Sequence, residues 1–226
     1  YTATPSSGMT YFGISSTSGG FVRQESSSQI SFINAGSAID LTGSFTPVVG
    51  TWYHIAVTRN ASNLMTIWVN GSSVGSGTVT TSYSSGTFAI GANHYSGGTT
   101  GYFPGYISNV RLVTGSCLYT SSFTPSTTPL TAVSGTQVLT CQSNRFIDNS
   151  ANAFAITVNG TPSVQAFSPF APTAAYSAST VGGSGYFDGS SYLTVPSSYG
   201  WDFGTGDFTF SSWLYPTTSD TNQQHT

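Results

Sequence analysis

The side chains able to do chemistry are few in this chain, and they are thinly spread. Glu25 is the only glutamate and sits in RQESSS with no acidic neighbour. The aspartates Asp40, Asp148, Asp188, Asp202, Asp207 and Asp220 are dispersed, and only Asp202 and Asp207 stand close together. Between them lies Phe203-Gly204-Thr205-Gly206, a turn sequence across which two carboxyls can approach. General acid–base chemistry needs its acid and base held at matched positions, and dispersal of this kind does not supply that. His54, His94 and His225 have no acidic partner at local spacing, and no serine stands in a nucleophile-elbow context. His54 falls in an alternating run and reads as a sheet-face residue. His94, in ANHYSGG, falls in a Tyr/Gly loop where it can touch a ligand. No catalytic residue is expected.

What remains points to binding. Tyr95, Tyr102 and Phe103 share one Gly-rich stretch. Such rings either form a platform on which sugars stack or fill gaps in an aromatic core. Asn60-Ala-Ser, Asn70-Gly-Ser and Asn159-Gly-Thr are acceptor sequons, and all three asparagines are expected at exposed turns. TPSTTP, at 124–129, suits an O-glycosylated or extended segment. Cys117 and Cys141 lie in the strand-like contexts SCLYT and VLTCQS. An even count permits one disulfide in an extracellular protein, which is the favoured reading; the other is two buried thiols acting as small hydrophobes. Metal-ligand spacing is absent, and Asp188-Gly189 reads as a turn former.

Charged residues make up only 5% of the chain, against roughly 25% in ordinary globular domains. Disorder is not the consequence, because aromatics stand at 14% and disordered chains are poor in them. The surface is therefore expected to be kept wet by hydroxyls and amides, with sugars on the sequons as a further expected contribution. The only cations are Arg23, Arg59, Arg111 and Arg145, with no lysine, and the net charge is −3. Four scattered arginines cannot neutralise a run of phosphates, so nucleic acid is excluded as a partner. No run of apolar residues is long enough for membrane insertion as a helix.

Period-2 alternation dominates the pattern. In Trp52–Thr58, Tyr53, Ile55 and Val57 share one face; in Leu64–Asn70, Met65, Ile67 and Val69 do. The polar 59–63 segment makes these a hairpin, and Asn70-Gly71 is a turn that favours positive φ at both residues. Further strands are expected at Met9–Ser15, Phe21–Gln24, Gln29–Asn34, Thr87–Gly91, Tyr106–Val113, Gln137–Cys141, Phe154–Val158, Tyr192–Val195 and Asp207–Tyr215. No ten-residue stretch keeps a helical period, so the fold class is all-β. Residues 167–184, rich in Pro, Ser, Ala and Gly, read as a linker.

GTWYHIAVTRN (50–60), TIWVNG (66–71), FAIGA (88–92) and GYISNVRLVTG (105–115) resemble laminin-G-like domains of the concanavalin A-like lectin/glucanase superfamily. The likeness is nearest to tandem-repeat versions in phage and environmental-microbe surface proteins. It implies an antiparallel two-sheet jelly-roll sandwich. It also implies that Ca²⁺ is the cofactor to look for, with Asp188, Asp202 and Asp207 as the ligands to test. Glucanases of the superfamily carry Glu-x-Asp-x-x-Glu on a strand, and no such set exists here. The order of the blocks departs from the family. Residues 1–166 resemble a domain's middle and end, whereas 185–226, with GYFDGSSYLTVPSSYGWDFGTGDFTFSSWLYP, resemble its opening. The domain is split or circularly permuted.

Residues 185–226 are too short to fold alone, and their strand edges and aromatic area must be covered. Phe187, Tyr192, Phe208, Phe210 and Trp213 are the expected anchors. They complete either a neighbouring subunit or repeat, or their own chain; the neighbour is favoured, because a head-to-tail contact that does not close makes a filament. The function expected is a non-enzymatic subunit of an extracellular or virion-surface fibre whose partners are copies of itself. The alternative is a carbohydrate-binding adhesion module whose partners are glycans.

Overall fold

The computed structural model describes residues 8–218 apart from 17, 35–37, 96–97, 144 and 172. Strands β1 (Met9–Ser15), β2 (Gly20–Ser26), β3 (Gln29–Asn34) and β4 (Ile39–Ser44) run as an antiparallel meander. The meander β5 (Tyr53–Arg59), β6 (Leu64–Val69) and β7 (Ser72–Thr78) follows. Then come β8 (Thr87–Ile90), the small hairpin β9 (Asn93–Tyr95) and β10 (Gly98–Thr100), and the long β11 (Pro104–Thr114). The remainder supplies β12 (Thr136–Thr140), β13 (Thr157–Asn159), β14 (Ser163–Gln165), β15 (Ser184–Asp188), β16 (Tyr192–Val195) and β17 (Phe208–Pro216).

Apart from β9 and β10, which pair as a separate two-stranded sheet, these strands form two antiparallel sheets in a jelly-roll sandwich. One has seven strands in the order β13-β16-β8-β1-β2-β3-β4. The other has eight, β14-β15-β11-β17-β5-β6-β7, with β12 also paired to β11. The hairpin between β5 and β6 forms as the pattern requires, and the next turn places Asn70 at φ 49° and Gly71 at φ 80°. Ile55, Val57, Ile67, Val69, Ile90, Ile107, Val110 and Leu112 are buried, while Tyr53 is half-buried against the core. The Gly/Ser-rich β7 and the edge strand β4 carry no clear apolar alternation, which is why the sequence did not announce them. Residues 154–156 are not strand; Phe154 instead packs edge-on to Trp201 at 5.1 Å.

The C-terminal strands occupy central positions in the chain's own sheets. β17 lies between β11 and β5, and β16 lies between β13 and β8. Phe210 stacks between Phe12 (5.8 Å) and Phe88 (6.0 Å), and Phe208 stacks on Phe32 at 5.8 Å. Burying each ring is worth roughly 1.5–3 kcal/mol. In this structure the split domain is thus closed by its own chain, in place of the neighbour expected from the sequence. The 167–184 segment folds back as closure within one chain requires. It folds over the outer face of the eight-stranded sheet, where Phe167 packs on Trp52 (5.3 Å) and Tyr106 (4.9 Å), and Phe170 on Trp213 (5.8 Å). Aromatic area on both surfaces drives that folding back.

Candidate functional site

The side chains weighed for catalysis are placed apart and are occupied. His54 is 1% exposed, its ring is packed against Tyr119, Phe123 and Trp213, and its Nδ1 has no hydrogen-bond partner. Burial first, and the Arg111 charge second, push His54 down to about 3, so its imidazole is neutral. Glu25 is paired with Arg23 at 2.6 Å. His225 and Asp220 lie outside the described residues.

The calcium candidates do not fit a cation site. Asp188 Oδ1 accepts from the Ser190 N–H and hydroxyl, both at 2.9 Å, and its Oδ2 accepts from Thr161 at 3.1 Å. Burial raises this carboxyl, but those bonds, with help from Ser191, outweigh it and hold Asp188 down at about 2. The carboxylate is spent on closing its Asp-Gly turn. Between Asp202 and Asp207, Arg59 donates to Gly204 O (2.6 Å) and twice to Gly206 O (3.0 and 3.2 Å). Gly204 O also accepts from the Tyr83 N–H at 2.9 Å. A guanidinium and a backbone amide have thus taken the carbonyl lone pairs that a calcium ion would need. Among the described residues, no three His, Cys, Asp or Glu side chains gather into a metal-holding group.

The cysteines are free, which corrects the expected bridge. Cys141 ends β12 at φ 57°, where its carbonyl accepts from the Asn109 N–H. Cys117 lies past the C-terminal end of β11, its Sγ directed at Tyr119 O (3.4 Å). β11 itself holds the two thiols apart. Burial pushes both upward, Cys141 to about 12.

The sugar-platform residues separate. Phe103 is 0% exposed and meets Tyr11 edge-on at 5.5 Å, so it is a core residue. The Tyr95 side chain lies outside the described residues. Tyr102 is half-buried at the surface, with its ring edge-on to Tyr192 at 6.0 Å. Burial first, then the Tyr192 hydroxyl, raises the Tyr102 phenol against a hydrogen bond from Thr99 that lowers it. His94 stacks on Tyr192 at 5.3 Å and 28°, with Nδ1 held at 2.9 Å from Thr99 Oγ1. His94, expected in a ligand-accessible loop, and Tyr192 therefore join Tyr102. Tyr192 was expected to anchor a core, yet Leu193 and Val195 face inward and Tyr192 faces out. Alternation along YLTV already carried that signal. Asn159 pairs with Tyr192 across β13 and β16, and its Nδ2 reaches Thr194 Oγ1 at 3.4 Å. The platform has three rings and a rim of hydroxyls and amides.

Of the sequon asparagines, Asn70 is exposed at its turn, while Asn60 and Asn159 are half-buried. Asn60 Oδ1 accepts from the N–H groups of Ser62 and Leu64, bracing the hairpin.

A laminin G family model, described as concanavalin A-like lectin/glucanases superfamily, matches residues 1–117. The chain belongs to the concanavalin A-like lectin/glucanases superfamily. No curated protein and no solved structure matches it. The matched span of this superfamily member ends just beyond β11, and the sheets are completed by β12–β17 from outside it. Both parts meet at the platform, since His94 and Tyr102 lie inside the match and Tyr192 beyond it. None of its helices is long and apolar enough to cross a membrane, among the described residues.

Proposed function

We propose that this chain is a non-catalytic, lectin-like module of an extracellular or virion surface, and that it holds neutral glycans. The observation that carries the reading is the stack of His94 on Tyr192 with Tyr102 at its edge, half-exposed and ringed by Thr99, Thr194 and Asn159. Aromatic faces take the C–H faces of a pyranose, and uncharged donors and acceptors meet its hydroxyls. No positioned carboxylate pair accompanies them, so binding without hydrolysis is the consistent outcome. The test is a glycan array followed by calorimetry. Tyr192→Ala should weaken binding at least tenfold, about 1.4 kcal/mol. Folded protein that binds no glycan, or a variant that binds equally well, overturns the reading.

The fibre reading depends on strand donation, and closure of the sandwich by the chain's own β17 counts against it. It requires the β17 of another copy or repeat to displace the chain's own, a head-to-tail exchange that would build a fibre. Regular fibres in electron micrographs support it; monomers at every concentration sink it.

A further inference from the structure

We infer that the opposite face of the sandwich carries a second neutral-glycan subsite, centred on Trp213, so that one molecule can bridge two glycan chains. Trp213 was expected to be a core anchor. It lies out of phase with Phe208 and Phe210 along β17 and therefore faces outward from the eight-stranded sheet. Tyr192 faces outward from the seven-stranded one, which puts the two rings on opposite sides.

A pocket of about 340 Å³ lies beside Trp213. Phe170 stands against the indole at 81° and 5.8 Å, Pro125 and Pro169 complete the apolar wall, and Asn70 and Thr127 supply polar rim. The Trp213 Nε1–H is buried with no acceptor, as is the Nδ1 of His54, whose ring lies 5.3 Å away. Both atoms are shielded, so a ligand in the pocket meets the carbon surface of the indole and not its N–H. Asn70 Oδ1 is pinned by the His54 N–H at 2.9 Å, which orients the amide on the rim.

The lining selects the ligand class. No charged side chain borders the pocket, so an anionic or cationic ligand would lose hydration without gaining a counter-charge. The indole and phenyl walls suit C–H faces, while the Asn70 amide and the Ser126 and Thr127 hydroxyls suit an oxygen-rich neutral molecule. The volume is at the small end of ligand sites and fits roughly one or two sugar rings. Resting, as the platform does, on the module being a glycan binder, the pocket adds a second point of attachment.

The test titrates ¹⁵N-labelled Tyr192→Ala protein with neutral disaccharides built from glucose, galactose and mannose. The indole N–H signal of Trp213, assigned by its loss in Trp213→Phe, should shift and saturate. The Trp201 signal should stay still, since that N–H is bound to Gly86 O at 2.8 Å inside the core. Wild-type protein should also cross-link a neutral polysaccharide into turbid suspension, and either single variant should not. A Trp213 signal that ignores every sugar, while the wild-type platform binds, overturns the second subsite and leaves the platform standing. A Trp213 shift with no effect of Tyr192→Ala on overall affinity overturns the platform and keeps the pocket. A shift with a proline-rich peptide but with no sugar refutes the glycan class.

Discussion

The Arg59 guanidinium donates to the carbonyl of Gly204 at 2.6 Å, joining residues 145 positions apart. The same group reaches Gly206 O and Thr81 O and lies over the rings of Tyr83 and Phe208, each at 5.1 Å. Arg59 is 0% exposed. It ties β5 to the turn that leads into β17, and so locks the C-terminal strand into its slot.

Arg59→Met removes four hydrogen bonds while keeping much of the stem packing. Bonds to a charged donor contribute about 1.5–3 kcal/mol each before compensation, and buried carbonyls are left without their partner. We expect a net loss of about 3 kcal/mol or more in urea denaturation, with Arg59→Lys recovering only part. A loss under about 1 kcal/mol would remove Arg59 from this role.

His54 makes stability depend on pH. Its folded pKa is depressed from 6.5 to about 3 by burial and then by Arg111. The unfolded chain thus binds the extra proton first, so the stabilisation is complete above pH 6.5 and is lost as pH falls toward 3. Thermal melts from about pH 8 down to about pH 4 should show the midpoint falling below about 6.5. In His54→Phe that slope should flatten. An unchanged slope in the variant assigns the effect elsewhere.

Both thiols should be countable. In denaturant, a thiol reagent should titrate two per chain, Cys117 and Cys141, without reductant. In the native protein Cys141 should react far more slowly, because it is 1% exposed and its thiol is pushed up to about 12. A mass two hydrogens lighter before reduction would restore the bridge.

Closure within one chain predicts a melting midpoint independent of protein concentration, and a monomer by light scattering. Deleting residues 184–218 should leave an insoluble remainder, because β11 and β5 lose the strand between them and the partners of Phe208 and Phe210 are exposed. A midpoint that climbs with concentration would show β17 being exchanged between copies.

Local chemistry in the sequence determined a good deal. Alternation from Tyr53 to Val69 set the strand type and the buried face, because side chains two apart must share a side. Asn70-Gly71 set its turn, because those residues tolerate positive φ. The scarcity of paired carboxylates ruled out a recognisable hydrolytic strand. Parity along YLTV and FTFSSWLYP even contained the outward directions of Tyr192 and Trp213. Tertiary structure alone decided which rings are surface and which are core. Alternation separates two faces but does not say what covers either, so Phe103 sank while Tyr102 stayed at the surface. It decided that Cys141 lies beside Asn109 in the middle of β11 while Cys117 lies past that strand's C-terminal end, a separation that no spacing along the chain reveals. It also decided that β17 enters its own sandwich. That choice rests on contacts between residues such as Arg59 and Gly204, whose proximity exists only once the chain has folded.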